Sequence, residues 1–592
     1  MTYSSRAEPA LVGGLALVAI AVPALLAFNV PPSATLLNQA AALAGWGVLA
    51  LVLSATVPLQ AGPRRDAIPS LAAAAALLIL ALSALITAVV SGAPWPLALS
   101  SAGMILAGVL ALAIGVLVGR SAGQRQAVFQ AFCIAMVVAG LLSLVVAAIQ
   151  SFAPQWADGD WIARPATPGR AGGNLRQPNH LSSLLVWSLA ALAYLHEAWI
   201  ERPRDPRLAA ARVASFLATG ALVLGVALTV SRTGMVCVLL LAAWGVVDRG
   251  LSRFTRIMLG LTPLLYVVSW MLATASAQAF AGDSQIHGSD LSSSRFGIWA
   301  NTLSMIAQHP WLGVGWGEFN FAWTLTPFPG RPGAFFDHTH NLPLQLLVEL
   351  GIPLATVVMA LLLWALWKAF IATRRTASPS VLMTQRSAFV MVLMMVVHSM
   401  LEYPLWYAYF LLPTAFAFGI CLGGVRQPGE AVTPVPTRRL SMVLVAGSVL
   451  LILGTVATVV DYLRVVVIFS PPDNATPLPE RIADGQRSWL FAHHADYAAG
   501  TIADHPGDVL GSFKRSTHYL LDTRLMMAWA KALEESGDTD RARYVAQRLR
   551  EFKNPAAAEF FAPCDAPKAS STAPLPFQCL QPTRPLTFED FR

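Results

Sequence analysis

Charge is the scarce ingredient of this chain: Asp, Glu, Lys and Arg make up 12% of its 592 residues, about half the ~25% of an average soluble domain. With 56% hydrophobic residues and a mean hydropathy of +0.58, that scarcity excludes an ordinary water-soluble globule. Lysine is almost missing from the hydrophobic part, where Lys368 stands alone among arginines. Cysteine is rare as well. Of the five in the chain, Cys133, Cys237 and Cys421 lie in apolar runs, where a thiol behaves as a small hydrophobe. No metal-type cysteine pair or HExxH helix is present, so neither familiar zinc pattern applies and no metal cofactor is expected. The net charge of +8 is concentrated in short loops between apolar runs, which makes it a topology signal; no nucleic-acid partner is expected.

What fills the chain instead is a succession of apolar runs of bilayer-spanning length. Thirteen candidates fall near 11–29, 35–58, 69–91, 98–119, 127–151, 180–198, 213–230, 233–247, 257–274, 342–367, 387–400, 405–423 and 440–463, the eighth and eleventh being short. The first is too long for a signal-peptide core and lacks a cleavage site, so it is read as retained. With the N-terminus inside, the inner segments carry 19 Lys or Arg against 7 Asp or Glu, and the outer loops before Leu463 carry six cations. The positive-inside rule then puts the chain in a membrane with the tail outside. The expected fold class is an all-α polytopic membrane protein divided into a first bundle (1–274), a large outer loop (275–341), a second group of spans (342–463) and an outer helical tail (464–592).

The loop is too long for a simple connection. It holds Trp299, Trp311, Trp316 and Trp323, and its 292–306 stretch spaces apolar residues for an amphipathic helix. In the tail, Leu525, Met526, Trp529, Ala532 and Leu533 form one helical face, and Ala542, Val545, Ala546 and Leu549 the next, across a turn at Gly537. That is one tetratricopeptide-like hairpin without a second copy at the repeat period. Cys564 and Cys579 share the outer tail, where an oxidising compartment permits a disulfide.

All six outer cations are arginines: Arg164, Arg170, Arg176, Arg232, Arg295 and Arg331. Their planar donor forks suit a phosphate. Arg232 sits between two apolar runs, where a charge is either functional or a snorkelling helix end. Arg295 follows three serines at the start of the loop helix, a place for an anion or merely for lipid headgroups. His338 and His340, with Asn341 after them, stand where the loop enters the tenth run. Their two-residue spacing does not match a metal helix, whereas a neutral imidazole there can move a proton; the alternative is a structural histidine bonded to a loop carbonyl. Arg176, Gln177, Asn179 and His180 crowd the start of the sixth run as either ligand contacts or end caps. Glu402 and Tyr403 lie at the outer turn between the eleventh and twelfth runs, where Tyr403 suits an interfacial belt and Glu402 is costly without a purpose.

These residues carry a resemblance. The stretch Gly173-Asn174-Leu175-Arg176-Gln177-Pro178-Asn179-His180, the passage from His309-Pro310-Trp311-Leu312-Gly313 to His340-Asn341 and Leu344-Gln345, and the Glu402-Tyr403-Pro404-Leu405-Trp406 turn resemble the O-antigen ligase and O-oligosaccharyltransferase superfamily of the Wzy and WaaL type. Among its branches they are most similar to the pilin-modifying PglL-like one. The tail ending near Phe560-Phe561-Ala562-Pro563-Cys564 resembles that branch too. The resemblance implies a GT-C-type glycosyltransferase in the bacterial inner membrane with its active site and C-terminus periplasmic. It implies an undecaprenyl-diphosphate-linked glycan as donor, no metal or other cofactor, and surrounding membrane lipids. The acceptor would be a pilin-like periplasmic protein, with lipid A-core as the alternative and chain extension by a polymerase as a third. By the same resemblance His340 is the essential histidine, Arg232 and Arg295 engage the diphosphate with Arg176 a weaker partner, and Gln177 and Tyr403 belong to the branch. His338 is an extra histidine. A lipid or solute transporter is the non-enzyme alternative, disfavoured because transporters gather polar groups at the bilayer midplane.

Overall fold

The computed structural model describes residues 9–57, 64–121, 123–200, 208–276, 290–375, 378–423, 438–565 and 575–592. Among them the regular secondary structure is entirely helical. Among the described residues ten helices are long and apolar enough to cross a membrane, and Pro9–Leu25, Arg232–Val247 and Ala408–Leu422 are shorter apolar helices. The run that looked short at 387–400 belongs to a 21-residue helix, Pro379–Ser399. Its first turns carry Thr384, Gln385 and Arg386, which mask the helix from a hydropathy window.

The chain forms two compact units. The first comprises 1–77, 106–288 and 360–456. Lipid offers no hydrophobic reward for helix association, so small residues that let backbones approach do much of the packing. Gly115 and Gly119 on the Trp95–Arg120 helix oppose Gly419 and Gly423 at the end of Ala408–Leu422. A methyl added at Gly119 would lie 2.8 Å from the Ile420 carbonyl, and one at Gly423 would lie 2.8 Å from the Gly119 Cα. Buried amides close the helix ends. Asn38, 1% exposed, donates to the Pro23 and Leu26 carbonyls at 2.9 and 2.7 Å, satisfying acceptors that the end of the first helix leaves open.

The second unit comprises 78–105, 289–359 and 457–592. Here the large loop and the tail share one hydrophobic core. Ile298, Phe319, Phe321, Trp323 and Leu325 from the loop are buried with Leu525, Met526, Ala532, Val545, Ala546, Leu549 and Phe552 from the tail. The tail hairpin is Thr523–Glu535 and Thr539–Glu551, each capped by an aspartate accepting from the third residue beyond, Asp522 from Leu525 and Asp538 from Arg541. Polar bonds lock loop to tail. Glu318 and His518 meet at 2.9 Å with 0% and 5% of their side chains exposed, and Tyr544 donates to the Leu325 carbonyl at 2.7 Å. Cys564 and Cys579 form a disulfide, with 5.2 Å between their Cα atoms.

Candidate functional site

In the first unit, three of the sequence motifs converge on Asn179. Its Nδ2 donates to Glu402 at 2.9 Å, and its Oδ1 accepts from the Ser231 hydroxyl at 2.7 Å. Ser231 in turn caps the Arg232–Val247 helix by accepting from the Gly234 amide at 3.0 Å. This ties together the Arg176–His180 segment, the Ser231-Arg232 junction and the Glu402–Tyr403 turn. Glu402 is buried and Arg232 exposed. The first residue of a helix is an anion-favouring position, and Arg232 occupies it.

Two amides shape the loop behind this cluster. Gln150 accepts from the Gly172 and Gly173 amides at 3.1 and 2.8 Å, while Asn174 donates to the carbonyls of Leu25 at 2.6 Å and Trp161 at 3.0 Å. Gln177 accepts from the Asn179 amide at 2.5 Å, an end cap for the Pro178–Ile200 helix. His180 is buried, its Nδ1 lies 3.2 Å from the Tyr409 hydroxyl, and its ring stands edge-on to Tyr407 at 4.5 Å. Tyr403 stacks along Tyr407 at 6.2 Å. The backbone is left-handed at Arg176 (φ 57°) and at Val230 (φ 51°), conformations uncommon for any side chain and an outlier for a β-branched one.

The outer arginines separate by environment. Arg176 donates to the Ala34 and Ala27 carbonyls at 3.1 and 2.6 Å, and burial lowers its pKa. Arg164 bonds the Ala157 and Asp158 carbonyls, and Arg170 the Thr229 carbonyl. Arg331 is enclosed by carbonyls, rings and Glu551. These four each bond to backbone carbonyls of the fold.

The second unit builds the environment of His340. The Leu342–Arg375 helix is broken at Gly351 (φ 75°, ψ 165°), a conformation only glycine takes without strain. The carbonyls that the break would leave open are met by the loop: Val314 donates to Val348 at 2.8 Å and Gly315 to Glu349 at 3.0 Å. Immediately before the helix, His340 itself is left-handed, φ 55°, and its neighbours hold it there. The Thr339 amide donates to Gln345 Oε1 at 2.8 Å, the Thr339 hydroxyl to the Asn341 carbonyl at 2.8 Å, and the Trp299 indole to the Thr339 carbonyl at 3.0 Å. Asn341 accepts from the Leu344 amide at 3.1 Å, capping the helix. Asn320 donates to the Phe336 carbonyl at 2.8 Å and accepts from the Leu521 amide at 2.9 Å, so the tail steadies the same segment.

Arg295 lies four residues before Trp299 on the Asp290–Gln308 helix, hence on the same helical face. That is the face Trp299 presents to the turn holding His340. His338 contacts Asp337 at 3.2 Å. Crowding by nearby protein opposes charge on the Asp337 carboxyl although its side chain is 46% exposed, yet His338 beside it and His340 nearby bring its pKa below the usual value. Thr339, Glu349, Trp299 and Asn320 were not among the candidates drawn from the sequence, and Gln345 entered there only as part of the resemblance. Glu349 was the one with a signal, an ionisable residue inside an apolar run. Among the described residues no cluster of three or more His, Cys, Asp or Glu is arranged to hold a metal ion.

Three family models match parts of this multi-pass helical chain. Residues 217–359 match the O-antigen ligase family, 171–196 the protein glycosylation ligase family, and 387–561 the C-terminal family of virulence factor membrane-bound polymerases. The chain is 27% identical over 389 residues to a general O-oligosaccharyltransferase of Acinetobacter baylyi, covering 60% of this chain and 61% of that one. It is 27% identical over 259 residues to a ComP-specific O-oligosaccharyltransferase of the same organism, covering 42% and 44%. The chain thus spans about three fifths of the first relative's length and less than half of the second's. The resemblance carried by the motifs stands: the ligase match encloses Arg232, Arg295, His338, His340 and Asn341, and the glycosylation match encloses Arg176 to His180.

Proposed function

We propose that this protein is an O-oligosaccharyltransferase of the bacterial inner membrane, with thirteen spans in a GT-C-type arrangement and with the loop and tail periplasmic. It moves a glycan en bloc from undecaprenyl diphosphate to a serine or threonine of a pilin-like periplasmic protein. The hydroxyl oxygen attacks the anomeric carbon, and the carbon–oxygen bond to the diphosphate breaks with its electron pair leaving on the phosphate. The hydroxyl proton passes to the His340 imidazole. Arg232 and Arg295 stabilise the charge that grows on the diphosphate, and a single displacement inverts the anomeric centre. No metal takes part in this scheme. The supporting observation is the histidine held left-handed at the entrance of a broken membrane helix, with Arg295 on the helix face turned toward it.

The match to the protein glycosylation ligase family at the Gln177 segment favours a protein acceptor. The O-antigen ligase match at 217–359 supports lipid A-core as a second reading. Purified enzyme given labelled lipid-linked glycan and either acceptor separates them. Glycosylated pilin-like protein is the expected product, and glycan on lipid A-core alone would move the assignment to the second reading. His340→Ala should cut transfer by about 10²-fold or more, the scale of a lost general base, while the protein still inserts. Wild-type turnover in that variant removes His340 from the mechanism.

A further inference from the structure

We propose that Gln345 and Glu349 are positioning residues that set the His340 turn for catalysis. The inference deepens the reading of His340 as the base and rests on it. Glu349 is 3% exposed, and its carboxylate accepts from the Gln345 side chain at 2.9 Å and from the backbone amides of Gly317 and Phe319. The Thr339 backbone amide can only donate, so the Gln345 side chain turns its oxygen to Thr339, at 2.8 Å, and its NH2 group to Glu349. The bond to Thr339 is one residue from the left-handed His340 backbone, a conformation that persists only where the surroundings over-determine it. Glu349 therefore acts through Gln345 on Thr339, and through Thr339 on the direction of the His340 ring. The neighbouring Glu318 carboxylate is engaged by His518 at 2.9 Å, and Gln345 is a side-chain donor to Glu349.

Exchanging the two residues tests this. Gln345→Glu alone sets two carboxylates against each other. Glu349→Gln alone points an NH2 group at a neighbouring donor. The double exchange, Gln345→Glu with Glu349→Gln, restores every bond: the carboxylate at 345 accepts from Thr339 and from the amide at 349, whose oxygen accepts from the Gly317 and Phe319 amides. With lipid-linked glycan and an acceptor peptide, each single variant should lose about tenfold or more in kcat with acceptor KM within about twofold, as misplacement of a reacting group demands. The double variant should recover to within about threefold of wild type, since the bonds are restored. Wild-type kcat in the single variants, or a double variant no better than either, overturns the proposal. Should a single variant not yield folded protein, Gln345→Met supplies the comparison, because it fills the space without an acceptor for Thr339. Its having wild-type kcat overturns the proposal equally. A wild-type enzyme inactive with every acceptor would count against the function itself, a result distinct from any of these.

Discussion

Replacing Arg331 with methionine should weaken the loop–tail unit and leave donor use intact. The Arg331 side chain is fully enclosed. Its Nη atoms donate to the carbonyls of Thr324 at 3.1 Å, Trp323 at 3.2 Å and Thr326, acceptors gathered at the C-terminal end of the Phe319–Leu325 helix, where a cation is favoured. Its Nε lies 3.1 Å from Glu551, and its guanidinium rests 4.4 Å from the Phe552 ring centre and 5.0 Å from that of Trp323. Burial pushes its pKa down to about 10, with Glu551 partly opposing the shift; it stays charged at neutral pH. Removing one partner of a buried pair costs roughly 3–5 kcal/mol. Glu551 keeps Arg548 at 2.8 Å, which puts the expected loss near the lower bound, about 3 kcal/mol. At roughly 2–4 °C per kcal/mol for a unit of this size, Tm should fall by about 6–12 °C. Thermal unfolding in detergent, followed by proteolysis of loop and tail, reads the effect. Arg331→Lys should not restore it, because an ammonium lacks the fork that reaches several carbonyls at once. A Tm within about 2 °C of wild type together with weakened use of the lipid-linked donor would refute the reasoning and return Arg331 to the ligand-binding arginines.

Two further outcomes are expected. The Cys564–Cys579 bond closes a separation of 15 residues, so Cys564→Ser with Cys579→Ser should cost about 3 kcal/mol; unchanged denaturant midpoints for the tail would exclude that contribution. The folded Asp337 carboxyl has a lowered pKa, so its contribution is present above the ordinary carboxylate pKa and is lost as pH falls through the lower folded value. A Tm difference between wild type and Asp337→Asn should therefore be seen at neutral pH and vanish in strong acid, and a difference that persists there would contradict the assignment.

The membrane helices were legible because a bilayer imposes its thickness on sequence as apolar length, and the tail hairpin because helical period marks its buried faces. The shared core of loop and tail was not. Trp323 and Phe552 lie 5.7 Å apart between ring centres, yet periodicity describes each helix without naming its partner. The outer arginines looked equivalent for the same reason. Arg331 is buried and Arg176 half-buried where Arg232 is exposed, a property of the fold. Gln177 and Asn179 had both a ligand and a capping reading from sequence; the structure adds the caps and the link to Glu402.

The common core of loop and tail also orders events in time. The aromatic loop containing His340 emerges during synthesis well before Leu521, Leu525 and Phe552, the residues that complete its burial. Until they arrive, Phe319, Phe321 and Trp323 lack part of their native shelter, and Asn320 lacks the Leu521 amide. Completion of the packing around the His340 turn is thereby postponed until the tail has been delivered, so a nascent chain carries that turn before it carries the residues that finish its surroundings.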